Sequence, residues 1–448
     1  MNDLSGNPQV HYQPKLLETE PYLSREYLKL ERDRLWRRVW LQAARLEEIP
    51  NVGDFVTYEI LDDSVIIVRS GTDQVRAFHN VCVHRGRRLI DIPPGARNAT
   101  GNRNRFICGY HGWNFGLDGA ASNIACRQDW QGKLTPENTA LGQVRVDCWG
   151  GWIWINLDPN CEPLRDYLEP AASVLDHFEL QNLRYKWRRW GVFDCNWKVA
   201  IEAFIETYHV PATHPEYMKF GVYQGWGRQE GLHSSLGYDA KGENKGRLRL
   251  GSGKDARKAT AEMVAYTMEH VNSNFSQSLL DAAMRLEDEL PETATEEEVL
   301  KHWLSSARQA DAAQGVVWPT VAPELVARSG VAWNIFPNFR LGHAVNNGLC
   351  YQARPYGDDP DKCIFEVSVF ELYPEGAAPK TEWVHTPLGD PGWGSVLSQD
   401  FSNMAAVQQG MKSTGFAGPR PNPKEEGAVV ALHETLATYM GLGRPQTI

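Results

Sequence analysis

Long hydrophobic runs, excess positive charge and closely spaced cysteines are all scarce in this 448-residue chain. The longest uninterrupted apolar stretch, residues 428–432, is far short of the roughly 20 residues that a membrane span needs. The first residues carry no apolar segment typical of a secretion signal. A formal net charge of −10 argues against a general nucleic-acid-binding protein, because phosphate neutralisation needs a basic face. These absences predict a cytoplasmic protein with neither a membrane nor a nucleic acid as partner.

The chain also lacks the cysteine density of a disulfide-stabilised protein and the glycine-rich motif of a dinucleotide-binding domain. Eight cysteines in a chain of this length are too few for a disulfide framework, so metal binding or simple burial must explain them. No Gly-x-Gly-x-x-Gly segment opens a helix after a strand, so we expect that the chain does not itself bind NAD(P)H. A hydrophobic content of 42% and a charged content of 23% are typical of a folded globular protein.

The pattern of residues divides the chain into three predicted regions. Residues 1–45 are predicted as an N-terminal helical segment that packs on the largest domain, because leucines and tryptophans recur there at near-helical spacing. Residues 46–158 alternate short apolar runs with turn residues, which predicts an all-β domain. Residues 159–448 mix helical and strand patterns and predict an α+β domain, with a helical insertion at about residues 256–314.

Two Cys/His pairs lie within the predicted β domain. Cys82-Val-His84 is followed by Cys108-Gly-Tyr-His111, and each pair fits a turn that aims two side chains at one metal centre. Four such ligands build either a zinc site or an iron–sulfur site, and the spacing alone leaves both open. The alternation does supply the two thiolates and two imidazoles that a Rieske [2Fe–2S] centre needs.

A second constellation occupies the segment NWKVAIEAFIETYHVPATHP. On a continuous helix, Glu202, Glu206 and His209 fall at i, i+4 and i+7 and share one face. His214 lies roughly 140° away from His209 on an ideal helix. We expect Pro211 to kink the helix and bring the two imidazoles to one metal.

Two imidazoles need an anionic third ligand to form a facial triad that leaves positions open on Fe(II). Asp400 interrupts an otherwise apolar helical stripe near the C-terminus, and a buried carboxylate is costly unless it is paired or binds a metal. Asp400 is therefore the predicted third ligand. The apolar members of the stripe are Val396, Met404, Val407 and Met411.

A di-iron carboxylate site is a rival reading, because Glu-x-x-His recurs with Glu206, Glu230 and Glu382 as its acids, and di-iron bundles use that unit twice. The sequence around the second and third copies is typical of loops and strands rather than helices, which disfavours this alternative.

Arginines are concentrated between the two Cys/His pairs, where Asp91 is the single acidic residue. Such a basic collar is either an ordinary solvated surface or a docking face for an acidic redox partner, and the sequence leaves both open. The arginines are Arg85, Arg87, Arg88, Arg97, Arg103 and Arg105.

The segments CVHRGRRL and CGYHGWNFGLDG resemble the two cluster-binding loops of the large (alpha) subunit of Rieske non-haem iron aromatic-ring-hydroxylating oxygenases. The resemblance implies an α+β fold: an N-terminal all-β Rieske [2Fe–2S] domain and a larger, helix-grip-like antiparallel-sheet catalytic domain with mononuclear iron. By this resemblance the cluster ligands are Cys82, His84, Cys108 and His111.

The segment from Asn196 to Pro215 is similar to the iron-binding signature of the same family, and LSQDFSNMAAVQQGMKS matches its late helix. The resemblance implies that His209, His214 and Asp400 bind the mononuclear iron. It also implies that Glu206 is the acid that links an iron-bound histidine to a cluster histidine of the neighbouring subunit.

The family's activity, carried over as an expectation, is O₂ activation followed by cis-dihydroxylation or monooxygenation of an apolar, aromatic substrate. The implied partners are a ferredoxin, an NAD(P)H-dependent reductase, two further copies in a homotrimer and, in some members, a small β subunit. The alternatives left open are a Rieske monooxygenase for a non-aromatic substrate such as a quaternary ammonium compound, a non-catalytic Rieske electron carrier, and a binding module with two structural metals.

Overall fold

The computed structural model describes residues 13–220, 225–238 and 255–448. The chain folds into two compact units: Lys29–Tyr167 form one, and the segment ending at Leu28 joins Leu168–Ile448 in the other. The first twelve residues of the predicted N-terminal helical segment lie outside the described residues. Among the described residues, no helix combines the length and the apolar character needed to cross a membrane.

The smaller unit is built on a seven-stranded antiparallel sheet whose inner residues form an apolar core. A second sheet of three short strands carries one of the two Cys/His loops. In spatial order the larger sheet contains Leu41–Arg45, Trp152–Asn156, Gln143–Trp149, Gln74–His79, Asp63–Gly71, Asp54–Ile60 and Thr100–Asn102. The smaller sheet contains Phe106–Ile107, Asn114–Phe115 and Ala121–Asn123. The all-β character predicted from the turn pattern is confirmed.

The structure departs from the predicted helical segment at its C-terminal end. Helices cover Glu20–Leu23 and Arg25–Glu31, and Arg32–Trp36 continue as one π-helical turn. Leu41–Arg45, predicted as helix, form a strand that pairs with Trp152–Asn156. All five residues of this strand are buried, so it lacks the alternation that identifies a strand in sequence. Pairing therefore places these residues in the smaller unit, upstream of the predicted boundary at residue 46.

The larger unit is built on an eight-stranded sheet that is antiparallel except at its last strand. The strands in spatial order are Gly225–Glu230, His233–Tyr238, Ala332–Ile335, Phe339–His343, Asn347–Tyr356, Asp359–Glu371, Arg184–Phe193 and Val384–His385. Helix Trp197–Glu202 packs on two of the central strands. This arrangement of helices on an antiparallel sheet confirms the predicted α+β class.

The predicted helical insertion is present and has a core of its own. Its helices are Ala256–His270, Gln277–Met284, Leu286–Glu289 and Glu296–Ala313. Each of the longer helices begins at a side-chain cap, and Thr295 with Glu298 forms a capping box. Leu286 and Trp303 are buried within the insertion's apolar cluster. Two further long helices, Ser395–Met411 (the late helix) and Gly427–Met440, follow the sheet in sequence.

Candidate metal centres

The two Cys/His loops have the same backbone construction. The N–H of Cys82 donates to the Arg87 carbonyl at 2.8 Å, and the N–H of Cys108 donates to the Trp113 carbonyl at 2.8 Å. Four residues after each cysteine stands a glycine with positive φ, +75° at Gly86 and +70° at Gly112. That left-handed conformation favours glycine, and it lets each loop turn back on its own cysteine.

The four donors of these loops lie close together in pairs. Cys82 and Cys108 are 1% and 2% exposed, and the rings of His84 and His111 have centroids 4.6 Å apart. His84 also stacks on Trp113, with a 5.0 Å centroid separation. Among the described residues these four donors do not form a group within 4.8 Å of one another, which one tetrahedral zinc would require. Separate sulfur and nitrogen pairs fit a binuclear cluster better than a single ion.

The electrostatics of the two thiols differ. Burial raises the pKa of Cys82. Burial also disfavours the Cys108 thiolate, but N–H groups of Tyr110 and His111 point at its sulfur, and the net effect lowers the pKa of Cys108. Backbone donors aimed at a sulfur are the kind of support that cluster thiolates use.

The basic collar is partly neutralised. Arg87 pairs with Asp91 at 2.5 Å, and Arg88 pairs with Glu59 at 3.2 Å. Glu59 lies outside the segment between the two Cys/His pairs. Arg97 is 9% exposed and so belongs to the interior rather than to the surface. The exposed members are Arg85, Arg103 and Arg105, together with the partly paired Arg88.

In the larger unit, the chain between the two predicted iron histidines is not one kinked helix. The helix ends at Glu202, and the turns that follow lead to the short helix Val210–Thr213. His209 directly precedes this short helix and His214 directly follows it. Pro211 occupies its first turn, where a missing N–H costs little, rather than a helix interior. The predicted continuous helix is therefore wrong, although both imidazoles reach the same place.

The late helix brings Asp400 to the two histidines. One Asp400 oxygen, Oδ1, lies 2.8 Å from Nε2 of His214 and 3.3 Å from Nε2 of His209. These three side chains form a group whose ligand atoms all lie within 4.8 Å of one another. Asp400 and His214 are 7% and 4% exposed. The structure thus brings together the three side chains predicted as iron ligands.

The nitrogens on the far side of each ring are occupied by acceptors. Nδ1 of His214 lies 2.7 Å from Oε1 of Gln399, and Nδ1 of His209 contacts Oε1 of Glu206. An acceptor at Nδ1 fixes the proton there and leaves the Nε2 lone pair for a metal. This donor set of two Nε2 atoms and one carboxylate fits a 2-His-1-carboxylate site for Fe(II).

The charge balance at His209 favours a cation at the same place. Burial lowers the pKa of His209, but hydrogen bonds and attraction from Asp400 and Glu206 outweigh burial and raise the pKa to about 10. Glu206 is held in position because its second oxygen accepts the N–H of His209 at 3.2 Å and the N–H of Tyr208. Two carboxylates that stabilise positive charge on one imidazole would also stabilise a bound divalent metal.

A cavity of about 340 Å³ opens beside the metal-ligand group. Its acidic wall includes Glu202, Glu206 and Glu426, and its apolar wall includes Met404 and Val429. Burial, reinforced by the nearby acids Glu206 and Glu202, raises the pKa of Glu426 to about 7.

Sequence reasoning missed two features of this region. Gln399, which positions His214, was not singled out, although it directly precedes Asp400. Glu202 was placed on the metal-facing stripe but lies 2.7 Å from Nε2 of His433 and 3.0 Å from the Tyr22 hydroxyl. The only sequence signal for the contact between Glu202 and His433 was that His433 is a lone histidine on an apolar C-terminal helix. Such a histidine is hard to distinguish from an ordinary core histidine.

The remaining Glu-x-x-His pairs do not join a di-iron site. Glu230 lies on a β-hairpin, where it pairs with Arg328 at 2.7 Å. His385 lies in the short edge strand Val384–His385. Neither pair projects from a helix, as the sequence context predicted.

Comparison with protein families gives two matches. Residues 164–442 match the ring hydroxylating alpha subunit (catalytic domain) family, and residues 39–137 match the Rieske [2Fe–2S] domain family. The first match covers more than half of the chain and contains all three residues of the metal-ligand group.

Curated relatives include monooxygenases and dioxygenases. The carnitine monooxygenase oxygenase subunit of Acinetobacter pittii (strain PHEA-2) is 28% identical over 218 residues, which cover 48% of this chain and 56% of the relative. The large oxygenase component of the naphthalene 1,2-dioxygenase system of Pseudomonas putida is 33% identical over 249 residues, covering 52% and 51%. The chain therefore spans about half the length of the curated relatives it matches.

Solved structures show the same fold. A quaternary ammonium Rieske monooxygenase in complex with L-carnitine superposes with a TM-score of 0.63 at 18% identity, covering 97% of both chains. A naphthalene 1,2-dioxygenase mutant bound to phenanthrene gives a TM-score of 0.63 at 18% identity, covering 97% of this chain and 94% of the other. The family matches, the shared fold and the two sets of metal donors lead to one conclusion: this chain belongs to the ring-hydroxylating alpha-subunit family, with a Rieske [2Fe–2S] domain ahead of its catalytic domain.

Proposed function

We propose that this chain is the terminal oxygenase component of a multicomponent Rieske oxygenase. It activates O₂ at a mononuclear Fe(II) held by His209, His214 and Asp400, and it hydroxylates a substrate with an apolar, aromatic body. The observation that carries the proposal is the convergence of these three side chains, with both Nε2 atoms turned to one carboxylate oxygen.

The Rieske cluster is proposed to be held by Cys82, His84, Cys108 and His111. When bound, the cluster and the iron supply one-electron transfer and O₂ binding, respectively. The protein contributes the orientation of the ligands and the exclusion of water. Buried Asp400 and His214 keep water from one side of the iron site.

Glu206 is proposed as the residue that connects the two kinds of centre. Its carboxylate holds the Nδ1 proton of His209 and is itself fixed by two backbone N–H groups. It also lines the cavity beside the metal-ligand group, which would let a cluster histidine of a neighbouring subunit reach it. This role requires an oligomer, and a homotrimer is the assembly we propose.

The side chains near His214 support a substrate with an apolar ring. Tyr217 lies 6.2 Å from His214 and 5.4 Å from Tyr266, measured between ring centroids. Phe204 stacks on Tyr351 with centroids 3.9 Å apart. Aromatic side chains favour aromatic partners through offset and edge-to-face packing. The relatives named for naphthalene support this reading, whereas those named for carnitine and glycine betaine support a quaternary ammonium substrate as the second candidate.

Electrons must come from a separate protein. We propose a ferredoxin or an NAD(P)H-dependent reductase that docks on the exposed arginines around the cluster loops, where positive charge attracts an acidic partner. Arg85, which lies 5.2 Å from the centre of the Tyr110 ring beside the cluster histidines, is the central residue of that surface.

The test uses the holoenzyme with a surrogate ferredoxin and reductase, O₂ and a panel of aromatic hydrocarbons. We expect O₂-dependent formation of a hydroxylated product and its loss in His209→Ala, with the Rieske EPR signal of the reduced cluster retained. His385→Ala is the matched control, because His385 is exposed and does not belong to the metal-ligand group. Unchanged product formation by His209→Ala would contradict the proposal.

A further inference from the structure

Three titratable side chains, called here the Tyr22 group, meet inside the larger unit: Tyr22, Glu202 and His433. They belong to helices Glu20–Leu23, Trp197–Glu202 and Gly427–Met440. The Tyr22 hydroxyl lies 2.7 Å from Nε2 of His433 and 3.0 and 3.1 Å from the two oxygens of Glu202. Oε1 of Glu202 lies 2.7 Å from the same nitrogen. Each pair in the group is therefore within hydrogen-bonding distance.

The Tyr22 group can adopt two hydrogen-bonded states that differ by one proton. In the protonated state, a proton lies between Nε2 of His433 and Oε1 of Glu202, and the Tyr22 hydroxyl donates to the carboxylate. In the deprotonated state, Nε2 is an acceptor, and the Tyr22 hydroxyl donates to it across the 2.7 Å contact. Tyr22 keeps its own proton in both states, because burial and the charge of Glu202 raise the pKa of Tyr22 well above its usual range. The group therefore holds one transferable proton.

The Tyr22 group meets the cavity beside the metal-ligand group through Glu202. Tyr22 is 0% exposed and His433 is 5% exposed, so both are shielded from bulk water. Glu202 lines the cavity, as do Glu206 and His209. A proton that leaves the group through Glu202 enters this cavity.

Stability alone does not account for titratable groups at this place. A buried ion pair rarely stabilises a fold more than apolar residues of the same volume would. Leu432 and Leu436, on the same helix as His433, are 2% and 0% exposed, so apolar side chains fit this part of the interior. Titratable groups gathered at a cleft are more often found at functional sites.

The cavity can carry a proton from Glu202 toward the metal-ligand group. Its volume of about 340 Å³ gives room for roughly ten water molecules, at about 30 Å³ each. Burial, reinforced by Glu206 and Glu202 and opposed by the N–H of Asn422, raises the pKa of Glu426 to about 7. Glu426 can therefore bind and release protons near neutral pH. The other charged or titratable groups around it are His209, Asp400 and Arg420 on the cavity wall, and Glu425, which also raises the pKa of Glu426.

The proposed reaction consumes protons as well as electrons. Dihydroxylation combines a substrate with one O₂, two electrons and two protons to give a diol. Monooxygenation uses the same O₂, electrons and protons and gives one hydroxylated product and one water. Electrons without protons would leave negative charge in a poorly solvated site, which is costly. A neighbouring subunit that covers the cavity would separate it from bulk water, so a source of protons inside the cavity would be needed.

We infer that Tyr22, Glu202 and His433 form a proton store that supplies the cavity beside the metal-ligand group, with Glu426 as the next carrier. Glu202 passes the shared proton to cavity water, and the Tyr22 hydroxyl turns to Nε2 of His433. The store is refilled through the same cavity after turnover. These residues act through the cavity water and not on the substrate. The inference rests on the proposed function, because it assigns the protons to the reduction of O₂.

The first test compares product formation at pH 6 and pH 8 in the holoenzyme with its surrogate electron donors. Glu202→Gln should slow product formation about tenfold or more at pH 8, and by less than about threefold at pH 6, where bulk protons replace the store. Glu202→Asp restores a carboxylate and should recover the wild-type rate to within about threefold. If Glu202→Gln fails to fold, His433→Gln should show the same pH-dependent loss.

Glu434→Gln is the matched control for this test. Glu434 is on the same helix as His433 but pairs with Lys15 at 3.7 Å, so its removal should leave the rate unchanged at both pH values. A purely structural role of Glu202 would lower the rate equally at both pH values. An equal loss at pH 6 and pH 8, or no loss, overturns the inference.

The second test needs no substrate. Histidine-selective nitrogen-15 NMR follows the His433 ring in the holoprotein, with its signal identified by its absence in His433→Gln. We expect the ring to gain one proton as the pH falls from about 9 to about 5, and to bind it about tenfold more weakly in Glu202→Gln, because a neighbouring carboxylate favours the charged imidazole. A ring that gains no proton in this range overturns the proton store.

The two proposals fail separately. A wild type that forms no O₂-dependent product contradicts the oxygenase, and the NMR titration still decides whether the Tyr22 group holds a transferable proton. A wild type that forms product, with a Glu202→Gln variant equally active at both pH values, contradicts only the proton store.

Discussion

At the scale of single residues, the proposed iron site depends on atoms that face away from the metal. The acceptors at Nδ1 of His209 and His214 fix which nitrogen of each ring is free for iron. Glu206 could be predicted from its spacing to His209, three residues later in the sequence. Gln399 could not, because no sequence rule links a glutamine on a late helix to a histidine nearly two hundred residues earlier.

Gln399 makes the first prediction. Gln399→Leu removes the oxygen that accepts the Nδ1 proton of His214 at 2.7 Å. We expect the affinity of the site for iron to fall by about 10- to 100-fold, as for other residues that orient a ligand histidine. Gln409→Leu, at an exposed position of the same late helix, is the control. Iron titration of the metal-depleted protein measures both, and equal affinity in the two variants would show that Gln399 does not position His214.

His343 makes the second prediction, on the pH dependence of stability. Burial lowers the pKa of His343 to about 4 in the folded chain, whereas an unfolded chain has a value of about 6.5. The unfolded state therefore takes up a proton first as pH falls from about 6.5 to about 4, and the free energy of unfolding decreases in that window by up to about 2 kcal/mol at pH 5. Above about pH 7 the stabilisation is complete.

Comparing melting temperatures at pH 5 and pH 7.5 tests this effect. The drop at pH 5 should be smaller in His343→Gln than in the wild type. His385→Gln, which changes an exposed histidine, should behave like the wild type. If His343→Gln retains the whole drop, then other groups cause the acid sensitivity.

At the scale of elements, periodicity predicted the helical insertion and the late helix, but it did not predict where every helix ends. The late helix extends over Ser395–Met411, as its apolar stripe predicted, and it places Asp400 correctly. Two predicted helices end early. Leu41–Arg45 form a strand that is buried on both faces, so its sequence does not alternate as a half-exposed strand would. The helix through Glu202 ends there because tertiary packing, which local spacing does not report, directs the chain toward the metal site.

The position of Arg340 is a second feature that local sequence pattern could not predict. A charged residue in a strand flanked by apolar residues is usually read as the solvent-facing half of an alternating pattern. Its opposite neighbours Asn334 and Tyr351 come from strands that are distant in local pattern, and only the register places the three together. The sequence alone could not place these three residues next to one another.

The helical insertion makes the third prediction. Leu286 is 0% exposed in the insertion's own apolar cluster, so Leu286→Ala should destabilise residues 256–313 by about 2–5 kcal/mol. Amide hydrogen exchange should quicken there first. Leu300→Ala, at a position that is 51% exposed in the same insertion, is the matched control. Equal exchange in both variants would mean that this cluster does not hold the insertion together.

At the scale of the whole molecule, the proposed ligands of the two kinds of metal centre lie in two separate compact units. Cys82 and Cys108 lie within Lys29–Tyr167, whereas His209, His214 and Asp400 lie within Leu168–Ile448. Each set of donors is complete within its own unit. We therefore expect each centre to load with iron independently of the other.

Iron and acid-labile sulfide counts, with EPR of the reduced protein, test this account most directly. The wild type should contain about three irons and two sulfides per chain, Cys82→Ser should retain about one iron and no sulfide, and Asp400→Asn should retain about two irons with an unchanged Rieske signal. A wild type without sulfide, or an Asp400→Asn variant that still holds the third iron, would contradict the assignment of the two centres.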